Sequence, residues 1–222
     1  MERAFIDDLD TIYESASNIS LGYDGYFVLN HDGTFVSHNL PRKLRYKLED
    51  RVASDPVPTV VSLGTEHPDT FFLQFADGKR SWRRLPQELE DILEDTEHYV
   101  EIMAVGEEED YYVKLSNGKE FWNIPSKLAD RLRGKHGEKT VAAVSLGYED
   151  QYNVRFSGTC YQNYRVLIYG IQHNSKFLFI SDGSMTSNMK SKTFWREYDD
   201  ITEASGVKLV AMGAKGDYII LG

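Results

Sequence analysis

The sequence predicts a mostly β chain with short helices, an α+β repeat arranged as a ring or propeller-like array of five to six hairpin-plus-helix units. Three observations carry that prediction. Leu21-Gly22, Leu63-Gly64, Val105-Gly106 and Leu146-Gly147 recur at intervals of 41 or 42 residues. In the first three units an aromatic run and a closing Asp/Asn-Gly follow: Tyr26-Phe27-Val28 to Asp32-Gly33, Phe71-Phe72-Leu73 to Asp77-Gly78, and Tyr111-Tyr112-Val113 to Asn117-Gly118. A proline comes next (Pro41, Pro86, Pro125), with leucines three and seven residues after it: Leu44 and Leu48, Leu89 and Leu93, Leu128 and Leu132. Self-similarity at this period marks an array whose units cannot bury their apolar faces alone.

Each unit reads as strand, strand, helix. The first strand is apolar and ends at the Leu-Gly or Val-Gly pair; the second is aromatic and β-branched and ends at Asp-Gly or Asn-Gly. Short polar links such as Thr65-Glu66-His67-Pro68-Asp69 join them, so the pair is an antiparallel hairpin. The glycines are expected where the backbone turns sharply or needs positive φ. Proline suits the first helical position because the N–H it lacks has no partner there. Leucines four apart share one helical face, and a helix of about three turns depends on packing that face against the hairpins.

The ends fit the same pattern. Residues 3–14 carry Leu9 and Tyr13 at a spacing of four and read as a helix; Val207 to Gly213 and Asp217 to Leu221 read as a first and a second strand. The N-terminal helix would then serve the C-terminal hairpin and close the ring. The units run over about 17–58, 59–98, 99–139, 140–162 and 163–205, with 206–222 completed by 1–16, all in one domain. The fourth and fifth are irregular. Tyr152 to Gly158 reads as a second strand with no proline helix after it. Tyr164 to Gly170 and Lys176 to Gly183 read as a further hairpin, followed by the polar stretch Ser184 to Ser191.

Helix charge alternates along the chain. Lys and Arg number 1 against 5 Asp and Glu over residues 2–14, 5 against 2 over 41–51, 0 against 6 over 86–97, and 4 against 1 over 125–135. Successive helices of opposite sign suit side-by-side packing around a rim, although a surface ion pair adds only about 0–1 kcal/mol.

Composition excludes several classes of function. At 222 residues and 41% hydrophobic, the chain can bury a substantial core, and its apolar runs are too short to span a membrane. Met1 to Ala4 followed by acids does not read as a signal peptide, so a cytoplasmic location is expected. A net charge of −10 argues against nucleic acid, whose phosphates demand cations. The single cysteine, Cys160, excludes a disulfide framework, and none of the six histidines has a paired metal-ligand spacing. No phosphate loop, nucleophile elbow or calcium loop is present, so no cofactor, metal or catalytic residue is expected.

The aromatics six residues before each closing glycine (Phe27, Phe72, Tyr112, Tyr152, Phe177) are expected in the core. Trp82 and Trp122, four residues after the glycine, read as wedges between helix and sheet. The adjacent Tyr26, Phe71 and Tyr111 point to the opposite face of the strand, where they would contact a ligand if that face lines a groove or opening. A second set of candidates lies where the repeat breaks down: Tyr164, His173, Asn174 and Trp195, in a segment that loses its helical cover.

The sentence Leu-Gly, aromatic strand, Asp-Gly, Trp, Leu-Pro, Leu, Leu resembles a tandem repeat of uncharacterised fungal and other eukaryotic proteins over residues 17–158. In size and period the chain is also similar to small five-bladed propeller lectins of the tachylectin type, whose own repeat motifs it does not match. The first resemblance implies no activity; the second implies a shape. The expected function is a non-enzymatic module that presents loops and one face of the ring to a protein partner. The alternative is a lectin-like binder of carbohydrate with one shallow pocket per unit.

Overall fold

The computed structural model describes residues 16–134, 140–147, 152–156, 167–170, 209–212 and 218–221. The first unit contains β1 (Ala16–Leu21), β2 (Tyr26–Asn30), β3 (Phe35–His38) and α1 (Arg42–Glu49). The second contains β4 (Pro58–Leu63), β5 (Phe71–Phe75), β6 (Arg80–Arg83) and α2 (Gln87–Asp95). The third contains β7 (Val100–Val105), β8 (Tyr111–Leu115), β9 (Glu120–Asn123) and α3 (Ser126–Gly134). β10 (Val141–Leu146) and β11 (Tyr152–Phe156) form a hairpin; β12 (Leu167–Gly170), β13 (Leu209–Met212) and β14 (Tyr218–Leu221) form the last sheet.

Each of the first three units is therefore strand, strand, strand, helix, one strand more than the sequence reading held. Asp-Gly does not end a hairpin; it is the turn of a second one. The Asn30 N–H donates to Thr34 O and the Gly33 N–H to Asn30 O, with Gly33 at φ +83°. Gly78 and Gly118 repeat that φ and those bonds. This is a type I turn completed by a left-handed residue, where glycine carries no Cβ penalty. The preceding Asp or Asn accepts from the backbone N–H two residues on, at 2.9 Å for Asp32, 3.1 Å for Asp77 and 3.0 Å for Asn117. The third strands have four residues each and a mixed pattern, too little periodicity to register in the sequence.

The glycines closing the first strands are there for close approach: Gly64 lies against Thr70 of its own unit, where a Cβ would overlap the Thr70 side chain, whereas Gly22 and Gly106 meet the next unit. A Cβ on Gly22 would sit 2.8 Å from Leu63 Cβ, and one on Gly106 would sit 3.1 Å from Leu146 Cβ. Here the glycine lets one unit touch the leucine of the next. All four first strands of the regular hairpins also shift register one residue in, at Ala16/Asn18, Pro58/Val60, Val100/Ile102 and Val141/Ala143, a bulge that adds local twist.

The prolines stand one position earlier than expected. Pro41 and Pro86 are the N-cap residues, and their carbonyls accept from Arg45 and Glu90. The leucine stripe is where the spacing puts it: Leu44, Leu89, Leu128 and Leu132 are fully buried, and Leu48 and Leu93 nearly so. The core lies between neighbouring sheets. Phe27, Leu44 and Leu48 of the first unit pack with Val61, Leu63, Phe71 and Leu73 of the second. Phe72, Leu89 and Leu93 of the second pack with Val105, Tyr111 and Val113 of the third, and Tyr112, Leu128 and Leu132 pack with Leu146, Tyr152 and Val154. Each helix thus fills the wedge between its own sheet and the next. Trp82 and Trp122 lie on third strands opposite Phe72 and Tyr112 and pack against the same clusters, as the wedge reading holds.

Two expectations are corrected by register. Tyr152 pairs with Leu146 as Phe71 pairs with Leu63, so it is the equivalent of Tyr26, Phe71 and Tyr111; Asn153 holds the Phe72 place. β12 is not a first strand but the outer strand of the last sheet, in the order β12-β14-β13. The hairpin expected at 207–221 is present as β13 and β14.

The first strands lie side by side: β1 against β4, β4 against β7, β7 against β10, β10 against β13, and β13 against β1. Polar bonds tie them together. Ser20 Oγ accepts from the Leu63 N–H at 2.7 Å, and the Tyr23 N–H donates to Gly64 O at 3.0 Å. Buried Gln74 in β5 binds both backbone groups of Val100, at 3.0 and 2.8 Å, and accepts from Arg80.

Candidate functional site

Of the residues the sequence singled out, Tyr26 and Tyr111 are described, and neither faces an opening. Each is 1% exposed. In the first three units consecutive aromatics of the middle strand are buried, so both of its faces are covered there, and Tyr111 looks onto the neighbouring unit. Tyr26 stacks on His38 at 5.7 Å between ring centroids, and Tyr111 belongs to the cluster between the second and third units. As ligand contacts both are corrected to core residues. Tyr164, His173, Asn174 and Trp195 lie outside the described residues, as does the helix expected at 3–14.

Three concavities among the described residues bear on function. A cavity of about 150 Å³ is lined by β1, β4, β7 and β10, with Asn18, Ser20, Ser62, Glu101 and Ser145 among its polar groups. A pocket of about 250 Å³ between the first two units is bounded by Tyr23, Asp24, Asn39, Arg42 and Asp69. The largest of the three, about 660 Å³, is a groove between α2 and the β8–β9 hairpin of the next unit.

The groove is built by two elements that the fold brings together for another reason. Leu89 and Leu93 anchor α2 in the core, which fixes the rotation of the helix and turns Glu88, Asp91, Ile92 and Asp95 towards the groove. Ile92 sits beside the leucine stripe, not on it, and meets Phe121 of β9 and Leu115 of β8; Leu115 is buried, and Ile92 and Phe121 are partly buried. Thr96, Glu97 and His98 line the groove beyond the helix end, and Asn117 and Lys119 form the far wall. Four carboxylates thus stand against one lysine above an apolar floor.

The helix that supplies three of these acids is held by a partly buried cation below. Arg80 donates to Leu93 O at 3.2 Å, to Thr96 O at 3.1 Å and to His98 O. It satisfies carbonyls of the α2 C-terminus, a place usually taken by a last-turn Lys or Arg, and α2 has no such residue. Glu94 and Asp95 in the last turn therefore oppose the helix dipole. At the other end Glu88 interacts with the Tyr111 hydroxyl. Burial first and Glu88 second push that phenol above its ordinary value. Tyr111 supports the groove from behind.

No ion pair among the described residues involves an acid of α2, and none joins two helices. The pairing of neighbouring rim helices expected from alternating charge is therefore not how the charges are used. The sequence exposed the acidic run but assigned it to the rim. Ile92, one apolar residue on an otherwise acidic face, and Phe121, where the second unit has Ser81, were the signals that this surface differs.

Among the described residues no group of three or more His, Cys, Asp or Glu is placed to hold a metal, and no helix is long and apolar enough to cross a membrane. Compared with known protein families and with curated proteins, the sequence matches none.

Proposed function

We propose that the chain is a non-enzymatic protein-interaction module built on a closed ring of five sheets. The order of first-strand contacts, running from β1 through β4, β7, β10 and β13 back to β1, supports the ring. The observation that carries the function is the α2 groove: an apolar floor flanked by carboxylates that have no ion-pair partner among the described residues, on a surface otherwise built from repeats. Grooves of mixed apolar and charged lining are the usual receptors for peptide segments. Without ion pairs to the acids of α2 among the described residues, those charges are available to a partner.

The carbohydrate reading draws on the pocket around Tyr23, Asp24, Asn39 and Asp69. Lectin use of a repeat needs that cluster in several units. The places of Tyr23 and Asp24 are held by Thr65 and Glu66 in the second unit and by Glu107 and Glu108 in the third. The aromatic returns in sequence only at Tyr148, so the pocket chemistry does not follow the repeat.

Parallel probing of the full chain with a glycan array and a peptide array separates the two. The expected result is saturable binding to peptides with no glycan retained. Saturable glycan binding without any peptide would overturn the proposal.

A further inference from the structure

The groove also specifies its occupant. We propose that the groove between α2 and the β8–β9 turn receives an extended segment of another protein that carries Lys or Arg at alternate positions. This rests on the reading of the chain as a protein-interaction module and goes further by fixing the chemistry and spacing of the partner.

Spacing comes first. Asp91 and Asp95 are one turn apart on the face that also bears Glu88 and Ile92, and a four-residue step rises about 6 Å along a helix. In an extended chain, side chains on one side are separated by about 6.6 Å. Cations at alternate positions of a strand lying along α2 therefore match Asp91 and Asp95, while the positions between them turn the other way, over Ile92 and Phe121. The nine residues of α2 cover about 13 Å, the span of about four extended residues.

Charge is the second argument. The groove holds Glu88, Asp91, Asp95 and Glu97 against Lys119, a formal charge of −4 + 1 = −3 with His98 neutral. None of these acids has an ion-pair partner among the described residues. Asp95 lies in the last turn, where a carboxylate works against the helix dipole. A last-turn carboxylate that the helix dipole opposes, aligned along an apolar floor with acids that have no ion-pair partner among the described residues, is accounted for by a cationic partner. The floor selects further: Ile92, Leu115 and Phe121 favour an aliphatic residue between the cations over a uniformly basic tract.

The test uses the full chain and a fluorescein-labelled peptide of alternating Arg and Leu, about ten residues long, read by fluorescence anisotropy. A peptide with Glu in place of Arg is the control ligand. Asp91→Asn with Asp95→Asn removes two groove charges at constant shape, and Glu108→Gln with Glu109→Gln removes two charges from a loop elsewhere. The expected result is binding of the Arg-Leu peptide only, weakened about tenfold or more by the groove pair and less than about twofold by the loop pair. Equal weakening by both pairs would show attraction to overall charge alone and overturn the proposal. So would an unchanged affinity in the groove pair, or self-association of the wild-type chain in sedimentation that the groove pair abolishes. In that last case the occupant is a second copy offering its basic α1 or α3. Binding of other array peptides but not the Arg-Leu peptide removes this occupant and leaves the interaction module standing; binding of glycans alone removes both.

Discussion

Replacing Leu89 by Ala tests whether the helices are part of the core or ornaments on it. Leu89 is fully buried among Val60, Phe72, Leu93, Met103, Tyr111 and Val113, so its side chain touches the second unit and the third at once. Truncation removes three buried carbons, about 2.4 kcal/mol at about 0.8 kcal/mol each. A residual void of about 40 Å³ would add about 1 kcal/mol at about 24 cal/mol per Å³. The expected loss is thus about 3–4 kcal/mol. Urea titration followed by far-UV circular dichroism measures it, and thermal melting should show a fall of roughly 6–16 °C for a chain of this size. Ile92→Ala is the companion variant, because Ile92 is on the same helix but only partly buried. Its expected cost is about 1 kcal/mol. A loss below about 1 kcal/mol for Leu89→Ala, or equal losses for the two, would mean that α2 is not wedged between sheets.

Alanine at the three turn glycines separates backbone strain from crowding. All have φ near +80°, but a Cβ meets nothing within 4 Å at Gly118, Tyr99 at 3.4 Å at Gly78 and Val57 at 2.9 Å at Gly33. Gly118→Ala should cost about 1–2 kcal/mol from strain alone, with Gly78→Ala slightly and Gly33→Ala clearly above it in the same urea assay; an inverted order refutes the account. Alkaline titration tests the Tyr111 environment. Its phenol is raised in the folded chain, so below pH about 10 both states hold the proton and stability is independent of it, whereas above that value the unfolded state loses the proton first and stability falls. Tyr111→Phe should flatten part of that loss, and an unchanged pH profile refutes it.

The residues that repeat were legible because each repeats for a packing reason. Leu44, Leu89 and Leu128 announce themselves by their distance from proline, and Phe27, Phe72 and Tyr112 by their distance from a turn glycine. The third strands were not legible: Arg80–Arg83 and Glu120–Asn123 are too short for an alternating pattern, and the Asp-Gly signal was assigned to the end of an element when it joins two. The same short range hid the fate of Tyr26 and Tyr111. Alternation along a strand correctly sends them away from Phe27 and Tyr112, but only the packing of neighbouring units shows that the other face is buried too. A local pattern reports which side a residue takes. It does not report what waits there.

The same distinction bears on the charges of the rim. If helix sign served packing, neighbouring helices would meet through ion pairs. The pairs among the described residues are instead within one helix, within one turn, or between a strand and a loop or strand nearby: Arg45 with Glu49, Arg133 with Asp130, Lys79 with Asp77, Arg83 with Asp69 and Lys114 with Glu101. Exposed charges further apart than about 8–10 Å are screened at ordinary salt, so helices separated by a whole sheet gain little from opposite signs. The buried faces of α1, α2 and α3 meanwhile use the same two leucines each. Packing is thus indifferent to the sign on the outer face, and that face is free to differ from unit to unit. Among the described helices only α2 differs by excluding every cation, and only there, among the described grooves, does the acidic face border a partly buried apolar floor. The repeat supplies the scaffold, and the departure in charge and in Ile92 and Phe121 supplies the site.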